Sequence, residues 1–205
     1  MSSYLKRRAK RGLKEAPGRT RYLSAEEEAR LLDHATPAVR IAVALAIDTG
    51  LRREELFNLI WAQIDPIRGT ITTTTRTKTG RARKVPLPYR SAQLSAQLPR
   101  RIDSPYVLVN PDTGTRYLQM NKGLKAAMRR AGITDLCWHD LRRTAGCRWL
   151  QRDGKSMEVV SILLGHSSVA VTEQRYAFLE ADAVAESLSG RTKIGTGTAD
   201  KKAIA

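Results

Sequence analysis

One stretch, Trp138 to Tyr176, constrains this chain more than any other. It reads WHDLRRTAGCRWLQRDGKSMEVVSILLGHSSVAVTEQRY. His139 and Arg142 stand three apart, which places them on one face if a helix starts there. His166 follows Leu163-Leu164-Gly165, a helix ending with glycine as its cap. Tyr176 sits in the polar run Thr172-Glu173-Gln174-Arg175 and reads as lying in a loop, outside any apolar stripe. Two imidazoles, a guanidinium and a phenol thus fall within about forty residues, a set of side chains suited to gripping a phosphate.

The rest of the chain alternates helical signals with one short β-rich interval. Ser24 and Glu27 make a capping box that opens a first helix. Pro37 opens a second, whose residues Ile41 to Ile47 are apolar nearly all round, as in a helix buried on every side. It stops at Thr49-Gly50, and a third helix is expected from Arg52 to about Gln63. Gly69 to Thr75 and Arg83 to Leu87 are β-rich and flank Thr79-Gly80, which has turn chemistry. That predicts a β-hairpin with Lys78 at its tip. Helices are expected over Tyr89–Leu98, Gln119–Ala131, His139–Arg152, Val159–Leu164 and Phe178–Leu188, with a short extended piece at Tyr106–Val109. The fold class is mainly α with a small antiparallel β-sheet (α+β). Residues 1–22 read as a basic arm or linker, 23–188 as one domain, and 189–205 as a flexible tail.

Composition narrows the partner. Lys plus Arg number 36 against 20 Asp plus Glu, a net charge of +16. So large an excess points to a polyanion, nucleic acid first. The arm holds Lys6, Arg7, Arg8, Lys10, Arg11, Lys14, Arg19 and Arg21 against Glu15 alone, and would order on a phosphate backbone or stay solvated. Lys122, Lys125, Arg129 and Arg130 make a basic helix face expected to contact phosphate. Two cysteines, Cys137 and Cys147, with three histidines and no CxxC pair, argue against a metal site or a disulfide framework. Both cysteines read as buried small hydrophobes in a cytoplasmic protein. No apolar run is long enough to span a membrane, and no secretion signal is visible.

Several residues outside the central stretch extend the phosphate grip. Arg52, opening a helix after the buried one, would face an anion with the helix dipole behind it. Glu55, one turn on, could hold its guanidinium, or simply form a surface ion pair. Lys78 could be a mobile cation that protonates a leaving oxygen, or a solvated turn lysine. His139, His166 and Tyr176 each have an ordinary structural alternative: a capping histidine, a C-terminal cation and a core tyrosine.

Taken in order, Thr49-Gly50-Leu51-Arg52-Arg53-Glu54-Glu55-Leu56, Lys78-Thr79-Gly80 with Val85-Pro86-Leu87, His139-Asp140-Leu141-Arg142-Arg143-Thr144, Leu164-Gly165-His166-Ser167-Ser168 and Tyr176 resemble the tyrosine recombinases of the phage-integrase type. The resemblance runs from about Leu23 to Leu188. It implies a site-specific recombinase that cleaves and rejoins double-stranded DNA through a 3′-phosphotyrosine, without metal or ATP. It implies Arg52 and Arg142 as the phosphate clamp, Lys78 as the acid for the 5′ oxygen, and His139 as general acid/base. His166 would be the second histidine, Tyr176 the nucleophile and Glu55 the accessory acid. It also implies a tetramer on DNA that exchanges C-terminal helices. A type IB-like topoisomerase and a silent DNA-binding regulator with this fold are the competing readings. Two departures stand out. Tyr176 lies ten residues beyond His166, one more than is usual for the family. The stretch before Leu23 is too short for the N-terminal DNA-clamping domain such integrases usually carry, so the chain is expected to be either a catalytic domain cut from a longer protein or a short member of the family.

Overall fold

The computed structural model describes residues 19–73 and 82–188, with side chains to residue 180. The proposed hairpin tip with Lys78, most of the basic arm and the tail after residue 188 lie outside the described residues. Eight α-helices are described: α1 (Ala25–Asp33), α2 (Pro37–Thr49), α3 (Arg53–Phe57), α4 (Tyr89–Ala96), α5 (Asn121–Ala131), α6 (Trp138–Gln151), α7 (Met157–Leu164) and α8 (Val169–Leu188), with one 3-10 turn at Trp61–Gln63. A three-stranded antiparallel sheet, β1 (Ile64–Asp65), β2 (Thr70–Thr72) and β3 (Lys84–Pro86), completes the mainly α fold, with Ile71 opposite both Ile64 and Val85. No helix among the described residues is long and apolar enough to cross a membrane.

Helix α2 is the spine. Val39 and Ile41 through Ile47 are all buried, and its broadest contact is with α6. A helix without a polar face must be enclosed, so α1, α3, α4, α6 and the sheet pack around it. Gly50 ends α2 at φ 60°, and a Cβ there would stand 2.9 Å from both Leu164 and Trp149. Glycine is thus required both by the left-handed backbone and by the close approach of α6 and α7. A second, smaller cluster lies beyond this core. It holds Ala145, Cys147, Trp149, Val160, Leu164, Tyr176 and Leu179, and joins α6, α7 and α8.

Four expectations are corrected. The helix after Arg52 ends at Phe57, because Ile60 bridges to Tyr106 and Trp61 N–H donates to Pro105, drawing the chain into an extended path. The β-hairpin gains a third strand from that same path. The last helix begins at Val169 instead of Phe178, so Tyr176 is helical and not in a loop. Thr172, Tyr176 and Leu179, spaced i, i+4, i+7, form its buried stripe, and the polar Glu173, Gln174 and Arg175 face outward. Cys147 is buried as expected, but Cys137 is exposed at the entry to α6.

The two arm arginines that are described turn back onto the domain. Arg19 Nε donates to both carboxylate oxygens of the fully buried Asp140 at 2.8 and 2.9 Å, and Arg19 Nη1 reaches Asp135 at 2.8 Å. Arg21 forks onto Glu27 at 2.6 and 2.8 Å. Burial alone would raise the Asp140 pKa, but the Arg19 bonds and the Cys137 N–H outweigh it and hold the carboxyl low.

Candidate nucleic-acid interface and strand-transfer site

The site forms where two helices end and two begin. Carbonyls in the last turn of a helix lack intrahelical donors and carry the negative end of its dipole. Here arginines fill that role. Arg142 Nη1 donates to Gly50 O at the end of α2 at 2.5 Å, and its Nη2 donates to Leu164 O at the end of α7. Arg52 Nη2 donates to Gly165 O, and Arg83 Nε to Leu163 O at 2.8 Å. Gly165, at φ 63°, provides the left-handed turn that exposes these carbonyls.

Three guanidiniums this close need a counter-charge, and Glu55 provides it. Arg83 grips both its oxygens at 2.6 and 2.8 Å. Arg52 reaches it through Nη1 at 3.1 Å and through its own backbone N–H at 2.7 Å. Burial pushes the Glu55 carboxyl up; Arg83 and the Arg52 N–H more than offset this, and its pKa lies below the ordinary value. Arg142 is pushed down to about 9 by burial and then by Arg52 and Arg83. It still carries its charge at neutral pH. Two of its five N–H donors go to carbonyls, and the others remain for an anion.

These side chains line one cleft of about 710 Å³: Arg52, His139, Arg142 and His166 together with Lys125 and Arg175. Arg52 and His166 also border a neighbouring hollow of about 480 Å³ that Ala82 and Arg83 line. Both histidines are held toward the neutral form. Burial lowers the His166 pKa to about 4, aided by Arg142, Arg175, Arg52 and Arg83. His139 is lowered in the same direction by partial desolvation, although its side chain is exposed at the surface, and then by Arg143, Arg142 and Arg175. His166 Nδ1 shares a 2.8 Å hydrogen bond with Thr172 Oγ1, which ties the end of α7 to the start of α8.

Tyr176 is not in the cleft. It is 3% exposed and belongs to the small cluster, ring-stacked near Phe178. Its hydroxyl rests on Gly146 of α6, where an added Cβ would stand 2.0 Å from Oη. Burial pushes the phenol up from its ordinary value, and the Cys147 thiol adds to this. Of the sequence-predicted residues, Arg52, Glu55, His139, Arg142 and His166 are brought together, Tyr176 stands behind them, and Lys78 is outside the described residues.

The basic face of α5 divides in use. Lys125 lines the cleft, and Lys122 and Arg129 are exposed. Arg130 is committed to His34 O at 3.0 and 2.6 Å. Neither Arg83 nor Arg175 falls in a sequence motif that marks it as part of the site. Arg83 stands two before Val85 on a strand and so shares its inward face. An inward arginine there implied a buried acid, and that was the available signal.

A cation-lined cleft, with Arg142 held by helix-end carbonyls and Arg52 braced by Glu55, is an anion-handling site on a mainly helical scaffold. Residues 21–182 match the phage integrase family. The integrase of Salmonella phage P22 is 31% identical over 177 residues, covering 78% of this chain and 44% of that protein. The crystal structure of XerA recombinase aligns with TM-score 0.69 at 25% identity, over 86% of this chain and 66% of that one. The catalytic domain of bacteriophage HP1 integrase aligns with TM-score 0.60 at 24% identity, over 85% of this chain and all of that one. The chain belongs to the phage integrase family, and its fold is that of a tyrosine recombinase catalytic domain. It spans about half the length of the curated relatives it matches.

Proposed function

We propose that the chain is the catalytic part of a cytoplasmic site-specific DNA recombinase, acting on double-stranded DNA without metal or ATP. The single observation that carries the reading is the braced pair, Arg52 and Arg142, facing one cleft with His139 and His166. In this reading the two arginines hold the scissile phosphate, and their charge favours the more negative pentacoordinate transition state. Tyr176 Oη attacks phosphorus, the P–O5′ bond breaks and a 3′-phosphotyrosine forms. The phenolic proton passes to His139 or solvent, and Lys78 protonates the leaving 5′ oxygen. The ester keeps the energy of the broken bond, so the reverse attack rejoins DNA. Glu55 fixes Arg52, and His166 hydrogen-bonds the phosphate. Assembly as a tetramer with exchange of the C-terminal helix is part of the proposal.

The test is covalent trapping on nicked duplex DNA followed by detergent denaturation. The unaltered chain should give a protein–DNA adduct. Tyr176→Phe should give none while still binding DNA. Adducts that persist in that variant would sink the assignment of the nucleophile.

A further inference from the structure

Helix α8 presents Arg175 to the cleft and Tyr176 to the core. Successive residues on an α-helix are about 100° apart, so a regular helix cannot present both to one phosphate. Arg175 lines the cleft beside Arg52, Arg142, His139 and His166. It is exposed, and among the described residues it forms no ion pair, whereas Arg52, Arg83 and Arg143 are each paired to a carboxylate. Its charge reaches both cleft histidines. An uncompensated guanidinium at the mouth of an already cationic cleft repels its neighbours unless an anion enters. Nothing in the packing of α8 demands an arginine there, since the buried stripe is complete with Thr172, Tyr176 and Leu179.

We propose that Arg175 is a further phosphate-binding residue, contacting the DNA backbone in the cleft before strand cleavage. This rests on the recombinase reading for the identity of the anion. The same helix then has two settings. With Arg175 inward the DNA is held and Tyr176 is sheltered on Gly146; attack requires the start of α8 to turn or unwind so that Tyr176 takes Arg175's place.

The experiment is equilibrium binding of the full chain to a short labelled duplex of arbitrary sequence, over a range of salt concentrations. It uses a Tyr176→Phe background so that no covalent product interferes. Arg175→Ala should weaken binding about tenfold at low salt, as for one lost charged hydrogen bond. It should also reduce the slope of log affinity against log salt by about one, as for one lost phosphate contact. Arg175→Lys should restore the slope, which a packing role would not do. An unchanged slope in Arg175→Ala overturns the proposal. Adduct formation by the chain with Tyr176 intact is scored separately. If no adduct forms while the slope still falls, strand transfer fails and the phosphate contact of Arg175 stands.

Discussion

The cation clamp and the tyrosine helix are built on opposite principles. In the clamp the guanidiniums of Arg52, Arg83 and Arg142 are immobilised by helix-terminal carbonyls or by Glu55, and their geometry exists before any ligand arrives. In α8 the candidate nucleophile is also immobilised, but in the wrong place, with its hydroxyl on Gly146 and its pKa raised by burial. Preorganised charge stabilises a transition state without rearrangement at the moment of reaction. A preorganised tyrosine would instead be a standing hazard on DNA. On the proposed reading, the molecule separates recognition, which is rigid, from delivery, which requires motion of one helix.

The largest effect should come from breaking the rigid side. Glu55→Ala leaves the nearly buried Arg83 guanidinium, and the partly exposed Arg52 beside it, without their carboxylate. A loss of about 3–5 kcal/mol is expected, as for a buried ion pair stripped of one partner. Urea unfolding would measure it, and adduct formation should disappear in the same variant. A Glu55→Ala protein as stable as the unaltered chain would mean that the clamp is not held by this acid.

Gly146→Ala probes the other side, and its sign decides. In the middle of a helix this change ordinarily stabilises by up to about 1 kcal/mol. With Tyr176 docked against it, the new methyl overpacks the contact and should cost about 1–3 kcal/mol. The displaced phenol should also raise the adduct yield per bound DNA. A stabilised variant with unchanged yield would contradict the docked tyrosine.

The smallest expected effect is on pH dependence. His166 titrates near 4 in the folded chain and near the ordinary value of about 6.5 when unfolded, so between these the unfolded state binds more protons. Stability is complete above about 6.5 and falls as pH drops through this window. Burial of the ring is the first cause, and Arg142, Arg175, Arg52 and Arg83 add to it around an imidazole whose Nδ1 is tied to Thr172. His166→Gln should flatten the decline in urea midpoint between pH 7 and 5. An unaltered decline would place the titrating group elsewhere, with His139, depressed in the same direction, the next candidate.

Much of this arrangement could be read from residue order alone, because its signals are local. Pro37 and Gly50 bracket the buried helix, Ser24 and Glu27 cap α1, and Gly165 ends α7, each through backbone chemistry that acts within one turn. The clamp members Arg52, Glu55, His139, Arg142 and His166 follow from helix ends. What stayed hidden depended on contacts distant in sequence. Arg83 meets Glu55 across the sheet, Arg19 meets Asp140 across the domain, and Ile60 meets Tyr106 to cut α3 short. The polar Glu173, Gln174 and Arg175 before Tyr176 give that segment the look of a loop. The stripe of Thr172, Tyr176 and Leu179 becomes visible only when α8 is known to start at Val169.

The most direct test of the central claim follows the phenol itself. With 3-fluorotyrosine at residue 176, the fluorine resonance of the free chain should show no solvent isotope shift between H2O and D2O. On adding nicked duplex DNA, a second, solvent-sensitive resonance should appear as α8 delivers the ring to the cleft. A solvent-sensitive resonance already present in the free protein would contradict the separation of a rigid clamp from a sheltered nucleophile.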